Sequence, residues 1–232
     1  VAVAYFDNVF VPMERVFIDG ETDEAHVMTT NYATHHRHSC IGARAGFGDL
    51  LIGAGAMIAD ANGLDYEKTP HMREKMVELI KITEGFYACG IAASTMGVHD
   101  AAGNFRPDRV YSNIGKLLLA NQIYDMHRLA HDLSGGLVVA LPSPDEDHNP
   151  STAAMLSDVL RGHPDVPYQH RANVARFIED LTASETGGWY SVISLHGGGS
   201  PEAMKLEILR NYNVEARSEL VQALFDRGAL EL

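Results

Sequence analysis

Residues Asn31 to Ala54 read NYATHHRHSCIGARAGFGDLLIGA, and the reading of this stretch decides the fold. Two helices are predicted across it: a polar-faced one over Ala25 to His38 and a glycine-rich one over Ser39 to Ala61, stopped by Asn62-Gly63. Gly42, Gly46, Gly48, Gly53 and Gly55 each cost such a helix up to about 1 kcal/mol relative to alanine, and together rival the lower end of a domain's net stability, roughly 5 kcal/mol. The helix is tolerable only where the missing side chains let a neighbouring helix or a flat ligand reach the backbone. Just ahead of the glycines, His36 and Cys40 stand four apart on one helical face, flanked by His35 and His38. Imidazole and thiolate on adjacent turns can hold iron or zinc, but a closed site needs partners from elsewhere. Spacing alone favours polar helix-face histidines around a buried thiol.

Downstream, Thr69-Pro70 supplies a cap and a first-turn proline for a helix to about Gly97, with Met72, Met76, Leu79, Ile80, Tyr87 and Ile91 at helical spacing. A third helix follows Pro107. It carries two stripes, Val110, Ile114, Leu117, Leu118 and Tyr124 on one side and Leu119, Ile123, Met126 and Leu133 on another, which predicts burial on most sides. Ser134-Gly135-Gly136 ends it, and the Pro- and Asp-rich crossing LVVALPSPDEDHNP is long enough to be a functional loop. Then come a short helix over Ser151 to Leu160, a helix carrying Val174, Phe177, Ile178 and Leu181 that Glu185 and Gly187-Gly188 interrupt, and the loop HGGGSPEA from His196. Ser200-Pro201 caps the last two helices, Met204 to Tyr212 and Val214 to Phe225. Upstream, Val1 to Phe6 and Val9 to Val11 read as short strands broken at Asp7-Asn8 and stopped by Pro12. No other strand is expected before Leu137. The expected fold is therefore all-α, an antiparallel helical bundle over residues 24–232, with a short β remnant over residues 1–23 that ends a β domain. A chain opening mid-strand on Val1 is expected to be a fragment or half of a split protein.

A hydrophobic content of 46% over 232 residues is enough for a full core. A net charge of −13, with no block of Lys and Arg to offset it, argues against nucleic acid and against a polybasic membrane anchor. Two cysteines, no signal peptide and no apolar run near eighteen residues point to a reducing cytoplasm and no structural disulfide. His127 and His131 also stand four apart, but the residues between them lack the glutamate of a zinc protease motif, so surface histidines are expected. Phosphate-binding loops, GxGxxG and a Ser-His-Asp order are all missing. The pairs Gly135-Gly136 and Gly187-Gly188 either stop helices or expose bare amides to a cofactor's pyrophosphate.

Six segments in one order carry a resemblance: YFDNVFVPMERVF from Tyr5, the His-Arg-x-Ser run His36 to Ser39, GFGDLLIGA from Gly46, DLSGGLVVALPS from Asp132, FIEDLTASETGG from Phe177 and LHGGGSPEA from Leu195. Over essentially the whole chain they resemble the C-terminal half of the flavin-dependent 4-hydroxyphenylacetate 3-hydroxylase and 4-hydroxybutyryl-CoA dehydratase family. The resemblance implies a bundle of the acyl-CoA dehydrogenase C-terminal type that builds a homotetramer, with FAD between domains and subunits. It implies that Ser134, Gly135, Gly136, Thr182, Ser184, Gly187 and Gly188 lie near FAD, and that His36, Arg37 and Arg44 line the reaction cavity. In the dehydratase branch the run His-Arg-x-Ser-Tyr-Gly-Gly-Cys-Lys gives a His and a Cys to an iron–sulfur cluster. Here His36 matches the histidine, but Cys40 stands at the tyrosine, Ala43 at the ligand cysteine and Arg44 at the lysine. Cys40 is nearly one turn from Ala43, a shift of about 4–5 Å, so it could serve only a displaced cluster. The implied function is therefore cluster-free: an FAD-dependent oxygenase that hydroxylates a phenol-like substrate with reduced flavin from a separate reductase. The alternatives are a dehydratase or vinylacetyl-CoA isomerase acting on an acyl-CoA, and a non-catalytic assembly subunit. The small-molecule substrate, the reductase and an N-terminal half are the expected partners.

Overall fold

The stretch from Ala25 to Ala61 does not break at His38. In the computed structural model, which describes residues 2–227, one helix α1 runs unbroken over Thr22–Ala61. Ser39 fails to start a new helix because its hydroxyl donates back to the His36 carbonyl (3.0 Å) instead of accepting a following amide. α2 spans Pro70–Thr95, with Pro70 in its first turn as expected, and α3 spans Arg109–Ser134.

Contacts fix the directions of these three. Ile41 of α1 meets Gly90 of α2 while Gly55 meets Met76, so α1 and α2 are antiparallel. Gly115 of α3 meets Cys89, and Asp132 pairs with Lys75 at 3.4 Å, so α3 is antiparallel to α2 and parallel to α1. Ile41, Leu51, Ile58, Leu79, Phe86, Leu119, Ile123 and Met126 make the core between them. The second α3 stripe is buried as predicted, whereas Leu118 and Tyr124 of the first remain exposed.

Two of the five α1 glycines serve close helix approach. A Cβ on Gly48 would lie 2.4 Å from Thr83 Cγ2, and one on Gly55 would lie 2.9 Å from Leu133 Cδ1, whereas Gly42, Gly46 and Gly53 face open space. Thr83 cannot swing aside cheaply, because its hydroxyl is tied to the Leu79 carbonyl at 3.0 Å. Gly48→Ala is therefore expected to destabilise by about 1–3 kcal/mol despite alanine's better helix propensity. Urea unfolding of Gly48→Ala with and without Thr83→Ala checks this, since the second change should recover most of the loss by making room.

The other helices wrap this trio: α4 over Ala153–Val159, α5 over Tyr168–Thr182, α6 over Glu185–His196, α7 over Pro201–Asn211 and α8 over Glu215–Asp226. α5 packs on α1 and α6, α6 and α7 pack on α3, and α8 buries none of its residues. Ser200 caps α7 by accepting the Ala203 amide, as expected. Gly187-Gly188 does not interrupt a helix but lies in the first turn of α6, because Ser184 caps it by accepting the Gly187 amide at 3.0 Å.

The bundle stands as expected, but β structure lies elsewhere than at the N-terminus. Among the described residues the only strand pair is the antiparallel β1 (Val98–His99) and β2 (Phe105–Arg106), in a segment expected to be loop. Residues 2–12 form no strand, and Val3 is 97% exposed. Strands need an edge to pair with, and none lies beside this segment. Asn8, at φ 50°, breaks the run at the predicted turn. α1 also contains a window long and apolar enough to cross a membrane, which the sequence reading did not anticipate, but 50% of that window is buried, as in a core helix. Cys40 and Cys89 are free thiols.

Candidate functional site

Two clusters of chemistry-bearing side chains lie along α3, eleven residues or about 16 Å apart along its axis. The first surrounds the α1 motif. Arg37 is 4% exposed, donates from Nε to the Gly198 carbonyl (2.8 Å) and from Nη1 to Asn113 Oδ1 (2.6 Å). Asn113 is itself oriented by its amide donating to the Arg109 carbonyl at 2.7 Å. Seven residues on and on the same face, Arg44 donates from Nε to Ser194 Oγ (2.9 Å) and lies 4.1 Å from the centre of the Tyr190 ring. Lys116, fully buried, donates from Nζ to the Ser194 carbonyl at 2.5 Å. Ser194 thus receives one cation on its hydroxyl and another on its carbonyl. Burial pulls the Arg37 guanidinium down, opposed by the Glu207 charge. Burial, with Arg44 and Arg37 adding to it and Cys40 opposing, brings Lys116 down to about 8.

His36 is half-buried beside this group, its Nδ1 3.6 Å from Cys40 Sγ and its ring 6.0 Å from that of Tyr32. The buried thiol matches expectation. The HGGG loop lies flush against the pair of α1 residues: a Cβ on Gly198, whose φ is +79°, would fall 2.8 Å from His36 Nδ1. Only glycine allows both that backbone angle and that approach.

The second cluster corrects the reading of His127 and His131. His127 is only 6% exposed, packed against the Phe47 and Tyr124 rings, because α3 brings it to the core register of Ile123 and Ala120 rather than to the surface. Burial, with the neighbouring His131 adding, drives it down to about 4. His131 Nε2 sits 2.6 Å from Thr182 Oγ1, whose own proton goes to the Ile178 carbonyl at 2.5 Å. The imidazole must therefore donate, which fixes its tautomer. Tyr124, His127, His131 and Thr182 line a cavity of about 740 Å³ together with Arg128, Asp132, Gly136, Gly188, Ser191 and Val192.

His127 also makes a pH prediction. Its folded pKa is below the ordinary histidine value, so between about pH 6.5 and 4 the unfolded chain binds more protons and stability falls as pH falls. Urea unfolding at pH 7 and pH 5 should show a loss that is smaller in His127→Leu, by about 1–2 kcal/mol.

Of the residues expected near a cofactor, Gly136, Thr182 and Gly188 meet in this cavity. Ser134 is instead buried, with its hydroxyl returned to Ala130, Gly135 caps α3 in the left-handed region, Ser184 caps α6, and Gly187 faces a separate groove with Ala43, Phe47 and Tyr190. His36, Arg37 and Arg44 do come together. Asn113, Lys116, Ser191 and Ser194 were not anticipated. Lys116 had a readable signal, a lysine three residues before Leu119 on the core-facing stripe.

The family model for the 4-hydroxyphenylacetate 3-hydroxylase C terminal matches residues 25–226. The chain is 35% identical over 231 residues to the 4-hydroxybutyryl-CoA dehydratase/vinylacetyl-CoA-Delta-isomerase of Clostridium aminobutyricum, covering 96% of this chain and 47% of that protein. It is 24% identical over 220 residues to the 4-hydroxyphenylacetate 3-monooxygenase oxygenase component of Thermus thermophilus, covering 94% of this chain and 45% of that one. Among solved structures, an oxygen-tolerant archaeal 4-hydroxybutyryl-CoA dehydratase from N. maritimus superposes with a TM-score of 0.87 at 34% identity, over 95% of this chain and 43% of that one. An oxygenase component of 4-hydroxyphenylacetate 3-monooxygenase complexed with FAD and 4-hydroxyphenylacetate gives 0.82 at 23%, over 97% and 47%, a likeness of fold. The chain spans about half the length of the curated relatives it matches.

Proposed function

The chain belongs to the 4-hydroxyphenylacetate 3-hydroxylase C-terminal family, and from that premise we propose that it serves an FAD-dependent oxygenase acting on a phenol-like substrate, with reduced flavin from a separate reductase. One observation carries the choice between the chemistries of its relatives. Ala43 stands where the dehydratase branch is expected to have its ligand cysteine, and it lies exposed on α1 with no donor atom to offer. Cys40, the nearest thiol, is buried and engaged with His36. This donor set supports a cluster-free reading.

FAD does fit. The 740 Å³ cavity has bare backbone at Gly136 and Gly188, where a Cβ would meet nothing within 4 Å, and at its wall stand Asp132 and Arg128, the latter paired with Asp125 at 3.6 Å. Gly136, Thr182 and Gly188 would hold the cofactor, and reduced flavin would supply the oxygen-activating chemistry. The chain's own residues bind and deprotonate the substrate. In the tautomer whose Nδ1–H donates to Cys40 Sγ, 3.6 Å away, His36 Nε2 is the acceptor for a phenolic proton, while Arg37 and Arg44 orient an anionic group.

Anaerobic purification of the full-length protein tests this reading. Reduced-FAD-dependent oxygen uptake with a phenolic substrate, and no iron or acid-labile sulfide, is the expected result. Stoichiometric iron and sulfide with dehydration of a hydroxyacyl-CoA or isomerisation of an enoyl-CoA would establish the second reading, a dehydratase or isomerase, which the 35% identity and the TM-score of 0.87 favour. Self-association, toward a homotetramer, belongs to the same proposal. Phe177, Trp189, Val192, Leu220 and Leu224 are large apolar residues left exposed, and light scattering at micromolar concentration should find an oligomer and not a monomer.

A further inference from the structure

Arg37, Arg44 and Lys116 bring three cations into the interior of a strongly acidic chain, at 4%, 8% and 0% exposure. None of the eight ion pairs among the described residues includes any of them. Among the described residues their hydrogen-bond partners are all neutral, the Gly198 carbonyl, Asn113 Oδ1, and the hydroxyl and carbonyl of Ser194, and the one carboxylate whose charge reaches the group is Glu207, acting on Arg37 without a direct ion pair. Buried charges ordinarily come with counter-charges, because desolvating an ion without one costs several kcal/mol. Donors also remain. Among the described residues, Arg37 Nη2 and both terminal nitrogens of Arg44 meet no protein acceptor, and Lys116 uses one of its three N–H bonds. Arg176 Nε is the only side-chain nitrogen or oxygen both fully buried and unpartnered among the described residues, so the open donors of Arg37 and Arg44 keep a small accessible area.

We propose that Arg37, Arg44 and Lys116 form one oxyanion-binding site, which takes a carboxylate or phosphate group of the substrate, and that Lys116 couples the entry of that anion to uptake of a proton. On α1, Arg44 supplies a two-nitrogen fork that matches a planar oxyanion and Arg37, two turns away, adds Nη2, while Lys116 faces them from α3 as a point charge. The groups that bear on Lys116 are Arg37, Cys40 and Arg44 of α1; α6 adds neutral Ser194, with Tyr190 against Arg44, and α7 adds Glu207, which acts on Arg37. An arriving negative charge favours the ammonium form and so offsets what desolvation and the like charges of Arg44 and Arg37 take away. Lys116, poised at about 8 without ligand, then gains a proton as the anion binds.

The assignment of this anion to the substrate rests on the oxygenase reading, but the test reads no turnover, so either can fail alone. The full-length protein is titrated calorimetrically at pH 8 with benzoate, with inorganic phosphate and with benzyl alcohol, each in two buffers of different ionisation enthalpy. The expected result is that benzoate or phosphate binds at least tenfold tighter than benzyl alcohol, with uptake of up to about half a proton per site. The stronger of the two anions tells whether the group comes from a carboxylic acid or a phosphate ester. Lys116→Met should weaken that anion about tenfold or more and abolish the proton uptake. No preference for either anion over the alcohol overturns the proposal and means that the protein's own carboxylates already neutralise the site. Binding by the parent without proton uptake overturns the role of Lys116, whether or not the variant folds.

Discussion

His36→Ala in the full-length enzyme is expected to lower turnover by about 10²–10⁴, the range for losing a positioned acid or base. Fold and flavin content should survive. His36 is half-buried and contributes a sulfur contact at 3.6 Å and a packing surface for Gly198, neither of which is a large apolar contact. Gly136, Thr182 and Gly188, proposed to hold the cofactor, belong to the other cluster, so loss of turnover with flavin retained separates a catalytic histidine from a scaffold one. Steady-state rates with an established substrate decide it. Near-parent turnover would reduce His36 to a structural histidine and remove the base from the proposed mechanism.

Phe86→Ala should cost about 3–5 kcal/mol, the upper range for core truncation. Such costs depend on how far the surroundings can collapse into the space, and here they cannot. Phe86 is fully buried on α2, at the level where α1 and α3 already touch through Ile41 and Gly115. A Cβ on Gly115 would fall 2.5 Å from Ile41 Cδ1 and 3.1 Å from the Phe86 carbonyl oxygen, so neither helix can move inward. Urea unfolding measures the loss, and a cost below about 1 kcal/mol would mean that the three-helix junction is softer than its packing indicates.

The bundle was legible because helical spacing survives burial: Leu119, Ile123, Met126 and Leu133 announced the core face of α3, and Ser200-Pro201 announced the start of α7. The uninterrupted α1 was not, because Ser39 can cap a helix or bond back within one, and spacing does not distinguish the two. Of the site, the α1 side was readable, since His36, Arg37 and Arg44 lie in one short motif. The α3 side was less so. His127 and Lys116 are polar residues on a core register, a pattern that equally fits an exposed turn of helix until the neighbours are known. Which glycines approach a helix and which face open space also depends on tertiary contacts, as Gly48 and Gly46 show.

The interior position of the three cations has a kinetic consequence. This chain carries a formal −13 in total, and withdrawing Arg37, Arg44 and Lys116 from its outer surface leaves −16 on the rest. An approaching anion therefore meets a repulsive field at long range and attraction only at contact. Screening shortens the repulsive reach to about 8 Å at physiological ionic strength, while contacts inside the protein are screened much less. For this chain, added salt should speed the association of an anionic ligand, the reverse of the usual steering of charged ligands toward an oppositely charged face.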